Sequence, residues 1–347
     1  MGSIEEQKRI GGASIRVAAM IVCAMMLLTS AAMATDGALP ESLIPMGDAV
    51  GIKFFSRGIV VAGVAGKDQK ESAAPAETAG LKTGDIILSV DGKELEDSES
   101  LTYAIEESGG KPLSFRVMRD EKELTLSISP AQLQGDGLYR IGAWVRDSMA
   151  GIGTISYVDP TTGKFGALGH AICDVDSGVL MPVRIGEIVD AEIVGVQKGA
   201  AGAPGELKGD LNLNNPIGTL TDNTGSGIFG VLKDQTVIEG RQALPTAHSE
   251  EVKEGLVTIY TTVSGEEPAS YEAEIIKINR KKNTERNMVI KITDPKLLDL
   301  TGGIVQGMSG STIVQNGKIV GALTHVLVKD PTCGYGIFIE NMLKAAG

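Results

Sequence analysis

Ser309 stands between Gly307 and Gly310 in QGMSGSTIVQNGKIVGALTH, a run from Gln306 to His325 that ends on one of only three histidines in the chain. A serine among glycines is what acyl transfer needs, because small neighbours let a substrate carbonyl approach the backbone. The N–H groups of Gly307 and Ser309 are then placed to converge as an oxyanion hole. The same residues also suit a plain flexible loop, so the choice rests on whether a base exists. His248, in the polar LPTAHSEEVKEG, reads as solvent-exposed. His170 ends an apolar strand in FGALGHAI directly after Gly169, where a strand end can present an imidazole to a cleft. His325 ends a similar strand. The segments Gly163-Lys-Phe-Gly-Ala-Leu-Gly-His170 and Gly317-Lys-Ile-Val-Gly-Ala-Leu-Thr-His325 echo each other, as two related barrel halves would. Asn316-Gly317 signals a two-residue hairpin turn. With Gln315 facing Lys318, the register predicts Ser309 opposite Thr324 and Met308 opposite His325.

These residues need a scaffold of strands. The chain has 347 residues, 42% apolar and 22% charged, enough for two domains with real cores. Its 45 glycines and only 6 Phe, 6 Tyr and 1 Trp point to tight turns and an aliphatic core. From about Leu138 onward, short runs such as GIGTISYVD, GEIVDAEIVGV, LVTIYTTV and YEAEIIKI follow one another without intervening helices, which argues for a barrel or sandwich. Formal charge is −12, and no basic stripe is present, so nucleic acid is not an expected partner.

The N-terminus predicts export. After Lys8, Arg9 and Arg16, the segment Val17 to Ala34 is uncharged, with an apolar core over Val17–Leu28 and an A-x-A site at Ala32-Met33-Ala34. It reads equally as a cleaved signal peptide or as an anchor with its positive end inside. Two cysteines lie beyond it, Cys173 and Cys333. They could form one bridge outside the cytoplasm or remain two buried thiols.

The block before the β-rich half has a different texture. AGLKTGDIILSVDGKEL holds a strand bounded by Gly-Asp and Asp91-Gly92 turns. DSESLTYAIEESGG reads as a helix capped by Asp97 or Ser98 and stopped at Gly109, with Leu101, Ala104 and Ile105 on one face. FRVMRDEKELTLSI reads as a closing hairpin, and Gly66–Gly80 as an exposed loop. The block resembles a PDZ domain of the bacterial protease-associated type. That resemblance implies that a peptide C-terminus, or the protein's own chain, adds as a strand beside IPMGDAVGIKF, with Met46, Gly47, Val50, Gly51 and Ile52 as the binding residues. A spacer or a cover for a catalytic domain is the blander role.

The run from Gly307 aligns on the chymotrypsin-type pattern GDSGGP, strand, turn, strand. FGALGHAI, ITDPKLL, TGGIVQGMSGS and GKIVGALTHV together resemble, in order, the stage IV sporulation protein B serine peptidases of the S55 type. The resemblance implies a mainly β architecture. A membrane or signal helix (1–35) and a small α+β, barrel-like PDZ domain (36–137) would precede a chymotrypsin-like double β-barrel (138–347). It implies Ser309 as nucleophile, His170 as general base and Asp294 as the orienting acid, with Thr324 in support and no metal or cofactor. Asp294 stands only fifteen residues before Ser309, whereas the chymotrypsin type places its acid far upstream, so Asp174, Asp176 and Asp222 are rivals. Met308 replaces the acid of GDSGGP, which removes activation by a buried N-terminal ammonium. Thr312 stands where that pattern has its proline.

By the same resemblance the protein crosses the membrane and works in the space between forespore and mother cell. There it processes itself and cleaves the exported domain of a regulator of a membrane-embedded protease, which triggers sigma-factor activation. Two other classes stay open: a catalytically inactive PDZ scaffold, and a housekeeping envelope protease, where the PDZ domain usually follows the catalytic one. Gly225-Ser-Gly-Ile-Phe-Gly230 matches G-x-G-x-x-G without a βαβ unit and reads as a turn. His170-x-x-Cys173-Asp174-x-Asp176 lacks a second ligand cluster and is a weak metal motif.

Overall fold

A computed structural model describes residues 40–66, 74–132, 137–280 and 285–347. The expected targeting segment and most of the polar loop after Gly66 lie outside the described residues. Among those described, no helix is long and apolar enough to cross a membrane.

The chain opens with β1 (Ser42–Pro45) and the long β2 (Ala49–Val64). Then come β3 (Ile86–Val90), β4 (Lys93–Glu94), β5 (Leu113–Arg119), β6 (Lys122–Ile128), β7 (Ala131–Gln132) and β8 (Tyr139–Arg140). Between β4 and β5 lies the helix Ser98–Glu107, and Asp97 caps it in a capping box with Ser100. A second long strand, β9 (Ala143–Val158), leads into β10 (Lys164–Ala167), β11 (Val183–Gln197), β12 (Glu206–Thr224), β13 (Gly227–Leu232) and β14 (Leu244–Pro245). The last group is β15 (Gly255–Thr261), β16 (Ala269–Ile278), β17 (Met288–Ile292), β18 (Thr312–Gln315), β19 (Lys318–Val326) and β20 (Cys333–Phe338).

Two closed barrels result. β9-β10-β13-β12-β11-β2 forms the first, because β2 pairs with β11 on one edge and β9 on the other. β15-β16-β17-β20-β19-β18 forms the second. Their cores are mostly aliphatic, as the scarcity of aromatics predicts: Val50, Ile155 and Ile188 beside Phe54 in the first, Ile259, Ile275, Ile290 and Ile313 in the second. The helix Ile339–Ala346 closes the chain. Its buried Ile339 and Met342 pack with Tyr157 and Phe229 of the first barrel and Ile319 and Ile337 of the second.

The division into domains differs from a simple succession. β2 and β9 pair with each other from Ala49↔Thr154 to Val64↔Ala143, so both run through the first barrel and on into the PDZ domain. The PDZ core of Ile59, Ile87, Phe115 and Val117 hangs on their far ends. The PDZ domain is therefore an insertion within the first barrel, and residues 40–56 belong to the peptidase body. The sequence conceals this because a strand crossing two bodies reads as one strand.

That arrangement also relocates the expected peptide-binding residues. Met46 is buried in the first-barrel core, and the Gly47 carbonyl accepts from Thr262 Oγ1 at 3.0 Å. Val50, Gly51 and Ile52 have both backbone edges occupied, by β9 and by β11. No free edge is left there for an added strand. The groove beside the PDZ helix lies elsewhere, between Leu101, Ile105 and the protein's own segment 138–145.

Candidate active site

Two turns face a common cleft of about 460 Å³, which is lined by His170, Gly307, Ser309, Thr324, His325 and largely apolar side chains. The first turn ends β10. Leu168 and Gly169 have φ of +66° and +70°. A bulky residue is rarely left-handed, and such strain gathers at functional sites. Gly169 meets a second demand: a Cβ there would stand 2.9 Å from Thr324 Cγ2 and 3.0 Å from Ile337 Cγ2 of the second barrel. Emerging from this turn, His170 has its Nδ1 2.8 Å from the Ala171 carbonyl. A carbonyl only accepts, so Nδ1 carries the proton and Nε2 keeps its lone pair. That tautomer is the one a general base requires.

The second turn carries Ser309. Met308 is buried in the second-barrel core, its N–H donates to the Val305 carbonyl at 3.2 Å, and its own carbonyl accepts from Ser311 N at 3.0 Å. The N–H of Gly310 donates to the Leu323 carbonyl at 2.7 Å. By contrast, the N–H groups of Gly307 and Ser309 donate to no protein acceptor among the described residues. Leu207 N donates to the Gln306 carbonyl at 2.9 Å, which fixes the peptide plane that carries the Gly307 N–H. Two unclaimed donors beside a serine are what an oxyanion hole consists of. Ser309 Oγ donates to the Thr324 carbonyl at 2.5 Å, a bond this hydroxyl has to leave before it can give its proton to a base.

The echoed segments do not occupy equivalent strands: β10 is the third strand of the first barrel in chain order and β19 the fifth of the second. His170, just beyond β10, and His325, near the end of β19, nevertheless meet, their ring centroids 4.6 Å apart at 36°. Burial, then the neighbouring charges of His170 and Arg286, push the His325 imidazole down to about 4, and its buried Nδ1 has no hydrogen-bond partner. Burial also lowers His170, opposed by the Ala171 carbonyl and the Glu285 charge. Both rings are held neutral, and one proton on the pair discourages a second. A base must be neutral to act, so the acidic limb of kcat/KM should have its apparent pKa below the usual 6.5 of histidine. Stability should fall over the same range. The unfolded chain takes up protons at both histidines below about pH 6.5, whereas the folded chain resists until lower pH. A pH–rate profile together with melting temperatures at several pH values checks both signs.

A profile described as SpoIVB peptidase S55 matches residues 137–343. The chain belongs to that family. A PDZ profile matches residues 49–129, so a PDZ domain accompanies the S55-family region. Curated relatives match over shorter lengths. A putative zinc metalloprotease of Lactococcus lactis, LL2128, is 37% identical over 103 residues, 30% of this chain and 22% of that protein. A putative serine protease of Synechocystis, HhoA, is 38% identical over 61 residues, 17% of this chain and 16% of that one. This chain thus spans about a fifth of these relatives' length. The active form of the Rv3671c protease from M. tuberculosis superposes at a TM-score of 0.34 and 13% identity, covering 57% of this chain and 75% of that one. The HtrA-type protease AlgW superposes at 0.33 and 11%, covering 61% and 57%.

Within this S55 peptidase, Ser309, His170, Gly307 and Thr324 share the cleft. Asp294 does not join them. It is the N-cap of the helix Pro295–Thr301: Oδ1 accepts from Lys296 N at 2.9 Å and Leu297 N at 3.1 Å, and Oδ2 accepts from Glu272 N at 3.2 Å. An aspartate before a proline at the first helical position is itself a cap signal, and that reading was open in ITDPKLL. Asp294→Ala should therefore cost about 1 kcal/mol of stability while leaving kcat/KM within about threefold. Denaturant melts and steady-state kinetics on the same variant separate the two roles.

The rival acids are occupied as well. Asp174 is fully buried and accepts from Arg146 and Ser177. Asp176 pairs with Arg146 at 3.1 Å, and Asp222 is exposed on β12. The carboxylate whose charge reaches both histidines is Glu285, and its backbone carbonyl accepts from Thr324 Oγ1 at 3.1 Å. Neither Glu285 nor the Ala171 carbonyl carried a sequence signal, because backbone acceptors and distant loops leave none. Cys173 and Cys333 are free thiols.

Proposed function

We propose that this serine peptidase is an exported endopeptidase of sporulation, which processes itself and cleaves the exported domain of a regulator of a membrane-embedded protease. Membership of the SpoIVB peptidase S55 family and the N-terminal sequence, Lys8, Arg9 and Arg16 followed by the uncharged apolar run from Val17, support the setting. The observation that carries the chemistry is the joint presentation of Ser309, the unprotonated Nε2 of His170 and two unclaimed N–H groups at one cleft.

Ser309 Oγ leaves the Thr324 carbonyl and attacks the peptide carbonyl while His170 Nε2 takes its proton. The oxyanion forms against the N–H groups of Gly307 and Ser309. His170 then returns the proton to the leaving amine, and water repeats the cycle on the acyl-enzyme. The Ala171 carbonyl holds the imidazole tautomer throughout. Among the described residues the cleft is lined by no Asp, Glu, Lys or Arg and its two histidines are neutral, so the residues flanking the scissile bond are apolar.

Incubating the purified protein alone, and then with the exported domain of such a regulator, should yield new N-termini in wild type and none with Ser309→Ala. Normal sporulation signalling by Ser309→Ala would instead identify a scaffold.

A further inference from the structure

We infer that Thr154 is a positioning residue for the oxyanion-binding turn, a role that rests on Ser309 being the nucleophile. Thr154 lies on β9 of the first barrel and is 0% exposed, and its three polar groups all bond the two turns of the cleft, two of them in the second barrel and one beyond β10 of its own. Its Oγ1 donates to the Gly307 carbonyl at 2.8 Å. Its N–H donates to the Ser309 carbonyl at 3.0 Å, and its own carbonyl accepts from Leu168 N at 3.2 Å. One residue thereby ties the serine turn of the second barrel to the turn that lifts His170 from the first.

The placement of these bonds follows from peptide planarity. Fixing the Gly307 carbonyl fixes the 307–308 peptide, and fixing the Ser309 carbonyl fixes the 309–310 peptide. The plane between them carries the Ser309 N–H, one of the two oxyanion donors. With both flanking planes held, that donor has little freedom to rotate away from the developing charge. The hydroxyl is the decisive atom. Valine would fill the same space and keep the backbone bonds, but the Gly307 carbonyl would lose its donor in a part-buried site. A threonine serving only as strand filler would be replaced by valine without loss, since β-branched residues suit strands equally.

The test compares full-length Thr154→Val, Thr154→Ser and Thr154→Ala with wild type, using a peptide spanning a mapped self-cleavage site. Thr154→Val should lower kcat 10- to 100-fold with KM within about twofold, and weaken a peptide boronate by a similar factor. Thr154→Ser keeps the hydroxyl and should stay within about threefold of wild type. A Thr154→Val kcat within twofold of wild type, or a loss confined to KM, would overturn the inference. If the valine variant fails to fold, the Ser and Ala variants decide: serine must exceed alanine at least tenfold in kcat, and equal rates would overturn the idea. A wild type without Ser309-dependent cleavage would sink the peptidase reading itself, a result distinct from an active Thr154→Val.

Discussion

His170→Gln is expected to lower kcat/KM by about 10⁴-fold or more, because it removes the only imidazole whose protonation is arranged for proton abstraction. The neighbouring His325 should not rescue it. Its ring packs 4.6 Å from that of His170, but it is pushed down to about 4 and no acceptor fixes its tautomer. A base that weak holds a proton poorly in the transition state. His325→Gln should therefore cost far less, about tenfold, through loss of the packed wall of the cleft. Measuring both variants on one peptide decides which member of the echoed pair does the chemistry. Comparable losses would mean that the pair acts as a unit.

Gly310→Ala carries the second large effect, and it falls on the fold. Gly310 has φ of +101°, and a Cβ there would lie 1.9 Å from the Thr154 carbonyl oxygen and 2.7 Å from Leu168 N. Both are backbone atoms of the first barrel, held in their own hydrogen bonds, so neither can yield cheaply. The substitution must push the two barrels apart at the serine turn. A destabilisation of about 3 kcal/mol or more is expected, a fall in melting temperature of roughly 6–12 °C for a body of this size. Activity should be lost below the melting transition too, because the same displacement moves Ser309. Gly317→Ala, at the exposed hairpin turn where a Cβ meets nothing within 4 Å, is the control for left-handed strain alone.

Much of this architecture was legible in the sequence, for local reasons. Asn316-Gly317 does form the two-residue turn, with φ of +51° and +74°, and Gln315 does face Lys318. The register then slips: Val314 pairs Ile319 but Ile313 pairs Gly321, so a bulge displaces every partner beyond it by one. Counting from the turn cannot foresee a bulge. Ser309 still reaches Thr324, through Oγ and the carbonyl rather than as a strand partner. In Gly225–Gly230 only Gly225-Ser226 form the β12–β13 turn, with Thr224 paired to Gly227, and the rest runs into β13 with no βαβ unit.

What stayed hidden depends on contacts between distant segments. The pairing of β2 with β9 embeds the PDZ domain in the first barrel and removes Val50, Gly51 and Ile52 from any free sheet edge. A motif read in one dimension gives the strand but not its neighbours. Asp294 reads from the resemblance as the orienting acid, and the fold makes it a helix cap instead. Thr154 drew no notice in GIGTISYVD because its importance lies in what Oγ1 touches 153 residues away.

The central claim is that Ser309 is a nucleophile activated by His170. Its most direct test is labelling of the full-length protein with a fluorophosphonate at neutral pH, followed by mass spectrometry of the digest. The adduct should map to Ser309 in wild type, be absent in Ser309→Ala, and form at least a thousandfold more slowly in His170→Gln. Labelling that persists in Ser309→Ala, or a wild-type rate equal to that of His170→Gln, would contradict the account.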